Sequence, residues 1–150
     1  MSQTLVSLYV HVVFSTKNRM NLIDPKIEAR LFAYIGGILN NHGCKLISAG
    51  GTANHVHLLI SLGKLTAMSD LVGHIKRESS AWIKTQEFGT KRFAWQDGYG
   101  AFSVGPTQTG SVKKYISTQK EHHYGESFED EMRYFLNKYA VEFDERYVWD

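Results

Sequence analysis

Two histidines separated by a single valine occur within an apolar run, the segment ANHVHLLI at residues 53–60. Alternate residues of a β-strand point the same way, so His55 and His57 would share one face and leave an apolar opposite face. Their Cα atoms would lie roughly 6.5–7 Å apart, near enough for both neutral imidazoles to bind one ion. The spacing is compatible with part of a metal site that needs a third ligand, or with two polar histidines on a solvent-facing strand edge.

A second group of candidate residues lies in VKKYISTQKEHH, residues 112–123. Tyr115 and Gln119 are four positions apart and would therefore share one face of a helix. Tyrosine offers a phenolic oxygen, and glutamine offers a carbonyl oxygen suited to a hard cation such as Mg²⁺ or Mn²⁺. Packing of a half-buried tyrosine beside a solvated glutamine is the alternative. His122 and His123 could extend this face, but we interpret them as surface histidines near a helix C-terminus.

The first half of the chain contains the elements that would position the histidine pair. Alternating apolar residues predict a strand at residues 7–15, and Asp24 followed by Pro25 predicts the cap and start of a helix that continues to Asn41. CKLISAGG and NHVHLLISL read as two further strands. We expect them to form a hairpin with Gly50 and Gly51 in its tight turn.

The second half supplies the elements around Tyr115. Apolar residues recur at helical spacing from Ala67 to about residue 86, and AWQDGYGAFSVG reads as a loop followed by a fourth strand. Residues 109–124 read as the tyrosine helix, with Ser111 as its expected cap, and residues 127–139 read as a last helix whose start, SFED, fits a capping pattern.

The order of these elements is β-α-β-β-α-β followed by helices. It predicts an α+β fold with a ferredoxin-like antiparallel sheet, helices on one face and a C-terminal tyrosine-bearing helix. The opposite face of the sheet would then be free for a ligand or a partner. A chain of 150 residues is long enough for one domain, and we expect residues 1–150 to form it.

The composition is ordinary for a soluble globular protein, with 43% hydrophobic and 21% charged residues and a net charge of +2. The apolar runs are too short to span a bilayer, and no basic segment precedes the apolar N-terminal strand as in a secretory signal. Cys44 is the only cysteine, which excludes an internal disulfide and fits a reducing, cytoplasmic location.

The combination of motifs resembles the HUH-type single-tyrosine transposases of the insertion-sequence-200-like family. In that family a strand carries histidine-hydrophobic-histidine, here His55-Val56-His57, and a later helix carries a tyrosine with a glutamine four residues on, here Tyr115 and Gln119. The similarity extends along nearly the whole chain, through VVFSTKNR, IKRESSAWI, FAWQDGYGAFSV, SFEDEMRYFL and DERYVW. TANHVH departs from the family only in the residues just before the first histidine.

The resemblance implies an enzyme that cuts and rejoins single-stranded DNA carrying hairpins at element ends. Tyr115 would be the nucleophile and form a 5′-phosphotyrosine, and His55, His57 and Gln119 would hold Mg²⁺ or Mn²⁺. The DNA backbone would be contacted by basic residues, for which the candidates are Lys17, Arg19, Lys76, Arg77, Lys91 and Arg92. Family members are dimers, and the connector at residues 102–111 is long enough for each tyrosine helix to dock on its neighbour. We therefore expect a homodimer whose sites assemble in trans.

Two other functions are compatible with the same residues. A non-catalytic ferredoxin-like module could bind RNA or DNA without using the histidine pair and the tyrosine. A metal-dependent phosphodiesterase could use water instead of Tyr115 as its nucleophile. Only attack by Tyr115 would leave a covalent protein–DNA species, so an adduct stable to boiling in detergent distinguishes the three functions.

Overall fold

The computed structural model describes residues 2–123 and 125–150. Its four strands are β1 (Tyr9–Ser15), β2 (Lys45–Gly51), β3 (His55–Ser61) and β4 (Gly100–Val104). Its α-helices are α1 (Pro25–Asn41), α2 (Met68–Ile83), α3 (Thr109–Ser117), α4 (Gln119–His122) and α5 (Phe128–Lys138). Two short 3-10 helices, Lys17–Arg19 and Pro106–Gln108, follow β1 and β4.

The four strands form one antiparallel sheet in the order β2-β3-β1-β4. The predicted β-α-β-β-α-β order and the α+β class are confirmed. β3 lies between β2 and β1, so neither edge of the strand that carries the histidine pair is exposed. The register between β1 and β3 pairs Val13 with His57 and His11 with Leu59, which puts all four side chains on the same side of the sheet.

One face of the sheet packs on α1 and α2 and forms the main apolar core. Alternate residues of the two central strands supply this face, and each is fully buried: Val12, Phe14, Val56, Leu58 and Ile60. α1 presents Ile27, Leu31 and Ile35 to them at helical spacing. As predicted, α1 begins with Pro25 at its first position, and the Asp24 carboxylate accepts a hydrogen bond from the backbone N–H of Lys26 at 2.8 Å.

The opposite face is not free, contrary to the prediction, because α3 and α5 cover it. α3 packs against β2 at Gly50, where an added Cβ would lie 2.4 Å from the carbonyl oxygen of Ile116. Only glycine allows this close approach. α5 contributes Phe128, Met132, Phe135 and Leu136, which pack with Val13 and Phe102 of the sheet.

Two local predictions were wrong. Gly50 and Gly51 lie within β2, and the chain turns at residues 52–54 instead. The tyrosine helix begins at Thr109 without a side-chain cap rather than at Ser111. It is also interrupted at Thr118, whose φ and ψ of −108° and 21° separate α3 from α4. Tyr124, the predicted last residue of that helix, lies outside the described residues.

Ser127 caps α5 as expected from its sequence, because its hydroxyl accepts a hydrogen bond from the backbone N–H of Asp130 at 3.1 Å. In the described parts of the chain, every helix is too short or too polar to cross a bilayer.

Candidate active site

The histidine pair lies on the sheet face covered by α3 and α5. His55 and His57 are both 0% exposed, and their ring centroids are 5.3 Å apart. The alternation along β3 therefore holds as predicted, but the alternative of a solvent-facing strand edge does not. Two fully buried imidazoles require polar partners, since an unpaired buried polar group costs about 1–3 kcal/mol.

The partners of His57 fix its proton. Its Nε2 lies 2.8 Å from Oε1 of Glu131, and its Nδ1 lies 2.7 Å from Nε2 of His11 on the neighbouring strand β1. An ionised carboxylate only accepts, so His57 donates from Nε2 and its Nδ1 accepts from His11. The reverse tautomer would free Nε2 of His57 for a metal and would reverse the hydrogen bond with His11.

His55 is held from both sides. Its Nδ1 lies 2.8 Å from Oδ1 of Asn54 and 2.9 Å from Oγ1 of Thr52, and its Nε2 lies 3.0 Å from Oε1 of Gln119. A proton on Nδ1 satisfies Asn54 and leaves a lone pair on Nε2 facing the glutamine oxygen. The lone pairs of these two atoms repel each other, and a cation bound between them would remove the repulsion.

Glu131 was not predicted as a site residue, yet its carboxylate contacts His57, Tyr115 and Gln119. This residue of α5 is 1% exposed. Its Oε2 accepts hydrogen bonds from the hydroxyl of Tyr115 and from Nε2 of Gln119, the latter at 3.0 Å. The available signal was its position, because an acidic residue interrupts the apolar stripe formed by Phe128, Met132, Phe135 and Leu136.

Tyr115 and Gln119 do meet, as predicted, although they lie on two helices. The break at Thr118 leaves both side chains directed at the same oxygen of Glu131. Tyr115 is half-buried, and its ring centroid lies 5.8 Å from that of His57 in the same chain. The single chain thus contains the whole cluster, and the expected assembly in trans stays a prediction.

His123 also belongs to the cluster, contrary to its interpretation as a surface residue. Its ring centroid is 4.3 Å from that of His55, and its Nε2 lies 3.1 Å from Oε1 of Glu131. This nitrogen is buried and makes no aligned hydrogen bond. Ligand atoms of His55, His57, His123 and Glu131 all lie within 4.8 Å of one another. An orphaned buried nitrogen among imidazoles and a carboxylate fits a divalent metal ion.

The pKa shifts show which protonation states this environment favours. Burial, with the neighbouring His57, lowers the pKa of His55 and of His11 to about 3, and burial also lowers the pKa of His57. The three rings are therefore neutral, the state in which His55 and His57 could bind a metal. Burial opposes protonation of His123, but the Glu131 carboxylate raises its pKa. Burial opposes ionisation of Glu131, but the neighbouring His123 and the hydrogen bonds from His57 and Tyr115 outweigh it and hold the pKa of this carboxyl below its usual range.

The environment of Tyr115 favours its protonated form, which is a weak nucleophile. Burial and the Glu131 carboxylate raise the pKa of its phenol above the usual value. The hydroxyl therefore stays protonated at neutral pH and donates to Glu131. Attack by this oxygen requires an acceptor for its proton, and Oε2 of Glu131 is already in contact with it.

The predicted DNA-contact residues fall into two groups. Lys17, Arg77, Lys91 and Arg92 lie on exposed or partly exposed segments. Arg19 instead donates to the carbonyl of Trp149 at 2.8 Å, and Nζ of Lys76 donates to the carbonyls of Gln96, Asp97 and Gly98 at 2.6–3.1 Å. Burial lowers the pKa of Lys76 to about 8. Because these carbonyls take up its ammonium group, we assign Lys76 a structural role.

Comparison with known proteins gives both sequence and fold relatives. The family model described as "Transposase IS200 like" matches residues 4–119. The transposases for insertion sequence element IS200 from Salmonella typhimurium strain LT2 and from Salmonella typhi are each 25% identical over 117 residues, covering 74% of this chain and 76% of theirs.

Two solved structures share the fold. One, from Deinococcus radiodurans R1, superposes with a TM-score of 0.58 at 20% identity and covers 79% of this chain and 98% of its own. The other, a REP-associated tyrosine transposase bound to a REP hairpin, has a TM-score of 0.61 at 14% identity and covers 83% of this chain and 75% of its own. The family match includes the histidine pair of β3, Tyr115 and Gln119, and with it the chain belongs to the IS200-like transposase family.

Proposed function

We propose that this protein cleaves and rejoins single-stranded DNA at the ends of a mobile element through a 5′-phosphotyrosine on Tyr115. One observation carries the proposal. A single buried carboxylate, Glu131, contacts the hydroxyl of Tyr115 with one oxygen and Nε2 of His57 with the other. The proposed nucleophile and one proposed metal ligand are thereby joined within one chain.

The reaction follows from the position of the phenolic oxygen. Oη of Tyr115 attacks the scissile phosphorus, a phosphorus–oxygen bond forms, and the bond to the 3′-oxygen breaks to release a 3′-hydroxyl. Glu131 is placed to receive the phenolic proton, and the departing 3′-oxygen takes up one proton to become the hydroxyl, so no net proton is released. The phosphotyrosine is itself a phosphodiester, so a different 3′-hydroxyl can reverse the step and join a new strand without ATP.

The residues proposed to hold a metal are His55, His57 and Gln119, together with Glu131 and His123, whose ligand atoms lie close to those of the histidine pair. Mg²⁺ or Mn²⁺ suits a donor set that contains carboxylate and amide oxygens and faces a phosphate. Such an ion, when bound, would polarise the phosphate oxygens. The scissile phosphate would lie near the histidines and Tyr115, and α5 keeps His55, His57 and Glu131 buried away from water.

Hairpin recognition is supported by the solved relative, whose structure contains a REP hairpin. In this chain Lys17, Arg77, Lys91 and Arg92 are the residues proposed to contact DNA phosphates. Such contacts release counterions, so binding should weaken as salt increases. A DNA substrate and a single unpaired Cys44 support a cytoplasmic location.

The homodimer stays a prediction that sedimentation can test. The complete cluster within one chain supports a site that works in cis, at least before DNA binds. The Gly50 contact with α3 supports this further, because the close packing holds the tyrosine helix on its own sheet.

A covalent adduct tests the proposed function directly. Single-stranded DNA from the flanks of the protein's own gene is incubated with Mn²⁺ and run on a denaturing gel. Wild type is expected to give a protein–DNA species that survives boiling in detergent, and Tyr115→Phe is expected to give none while it still binds the hairpin. Tyr147→Phe, a change at an exposed tyrosine, is the matched control.

Three results would contradict the proposal. Adduct formation by Tyr115→Phe would assign the nucleophile elsewhere. Cleavage without an adduct would indicate a phosphodiesterase that uses water, and hairpin binding without cleavage would indicate a binding module. Cleavage that continues in EDTA would exclude the metal.

A further inference from the structure

A cavity of about 450 Å³ opens between α3, the edge strand β4 and α5. Tyr115 and His11 line the cavity. Other lining residues are Val104 of β4, Val112 of α3, Phe135 of α5, and Tyr139 directly after α5. Its volume lies within the range of small-molecule sites. A ligand in this cavity would therefore touch the ring of the candidate nucleophile.

The walls of the cavity are aromatic and partly exposed. Tyr134 is 57% exposed and Tyr139 is 37% exposed. Both rings pack on buried neighbours, with centroid distances of 5.7 Å from Tyr134 to Phe135 and 5.0 Å from Tyr139 to Phe102. A flat ligand with a π face could stack on these rings and remove their surface from water.

The cavity also carries positive charge and hydrogen-bonding groups. Nζ of Lys138 lies 5.9 Å from the ring centroid of Tyr134 and 5.7 Å from that of Tyr139. Within residues 2–123 and 125–150, Lys138 forms no ion pair with a carboxylate. Gln108, Ser103 and Ser111 add an amide and two hydroxyls to the lining. Aromatic faces beside an unpaired ammonium are the features that bind single-stranded nucleic acid.

We propose that this cavity binds one unstacked base of single-stranded DNA, from a nucleotide that adjoins the scissile phosphate, with Lys138 against the strand's backbone. The inference rests on the proposed function, because it takes Tyr115 as the residue that attacks this phosphate. A base within a duplex is stacked on both sides and cannot enter, so the cavity selects single strands.

The helix that completes this cavity lies outside the family match. α5 begins at Phe128, whereas the matched residues end at 119. Tyr134, Phe135, Lys138 and Tyr139 therefore all come from the segment that follows the family domain. The cavity adds a contact to the DNA strand that the matched region alone would not provide.

Cleavage of abasic substrates provides the first test. Hairpin DNA from the flanks of the gene is cut with Mn²⁺, and an abasic site replaces one base at a time on either side of the scissile phosphate. Removing the base that fills the cavity is expected to lower kcat/KM about 5- to 150-fold, the effect of one stacked base. Tyr134→Ala should slow the natural substrate and abolish this abasic penalty, whereas Tyr134→Phe should keep it.

The control variant is Tyr147→Ala, because Tyr147 is 63% exposed and does not line the cavity. Its abasic penalty should equal that of wild type. The proposal would be overturned if wild type cleaved the natural substrate and the substrates abasic on either side of the scissile phosphate at equal rates. It would also be overturned if Tyr134→Ala kept the full loss of kcat/KM on the abasic substrate.

A binding measurement separates this proposal from the proposed function. The Tyr115→Phe variant, which cannot cleave, is mixed with the same hairpin DNA carrying 2-aminopurine at successive single-stranded positions. Stacking should quench the fluorescence at one position, and the added change Tyr134→Ala should restore it. Loss of the adduct in wild type would refute the transesterase alone, whereas unquenched fluorescence at every position would refute the base cavity alone.

Discussion

The two faces of the sheet differ more than any other two regions of the molecule. Towards α1 and α2, β3 presents Val56, Leu58 and Ile60, which are fully buried in the apolar core. Towards α3 and α5, the same strand presents His55 and His57, which are equally buried but hydrogen-bonded to Gln119 and Glu131. One face is packed for stability, and the other buries polar groups that an apolar core would not need.

This difference has an energetic meaning. Apolar burial stabilises the fold by roughly 25 cal/mol for each Å² removed from water. A buried carboxylate and three imidazoles repay their desolvation only if every polar atom has a partner, and Nε2 of His123 lacks an aligned one. The histidine face therefore retains a polar cluster whose hydrogen bonding is incomplete, which is compatible with the proposed metal site.

Neighbouring residues of β3 offer the sharpest test of this division. Leu58→Ala should lower the free energy of unfolding by about 2–5 kcal/mol, because it leaves a cavity in the core. Its cleavage rate per folded molecule should not change. His57→Ala should abolish metal-dependent cleavage while the protein still folds, as measured by circular dichroism and the gel assay. A lower cleavage rate in folded Leu58→Ala would contradict the assignment of stability to one face and cleavage to the other.

Metal binding should raise the free energy of unfolding only when the residues of the histidine face are intact. At a free Mn²⁺ concentration 100 times its Kd, wild type should gain about 2.7 kcal/mol in unfolding free energy. His57→Ala should gain almost none, and Gln119→Ala an intermediate amount, because water can replace one oxygen ligand. Gln3→Ala, a change at an exposed residue outside both groups of side chains that could hold a metal ion, is the control. Denaturant titrations with and without Mn²⁺ measure the gain, and equal gains in wild type and His57→Ala would argue against this site.

Acid should destabilise the metal-free protein through the same face. The pKa of His11 and His55 is about 3 in the fold, compared with 6.5 for free histidine. Between these values the unfolded chain binds more protons, so the free energy of unfolding falls as the pH decreases below about 6.5. The slope should approach about 1.4 kcal/mol per pH unit for each histidine kept neutral. Urea titrations in EDTA from pH 7 to 4.5 test this, and an unchanged stability would refute the neutral cluster.

The sequence was sufficient for the parts of the site that depend on short-range periodicity. The alternation along β3 placed His55 and His57 on one face, and the four-residue spacing brought Tyr115 near Gln119 even though the helix breaks at Thr118. His11 could have been found by the same alternation, since it interrupts the apolar strand β1.

Glu131 could not be placed in the same way, because 74 residues separate it from His57. Periodicity shows that α5 has an apolar stripe but not which surface that stripe covers. The second sheet face was expected to be free for that reason. Its cover depends on contacts such as that of Ile116 with Gly50, which only the three-dimensional structure reveals.

We propose that one chain builds the whole active site on one face of its own sheet, and mixing two inactive variants tests this most directly. Tyr115→Phe and His57→Ala are co-expressed with different tags, purified through both, and assayed for adduct formation beside wild type. Sites formed in cis leave one lesion in every site, so we predict no adduct from the doubly tagged sample or from a simple mixture. Recovery of the adduct in the mixed sample would show that Tyr115 of one chain acts with His57 of another, and would contradict the account.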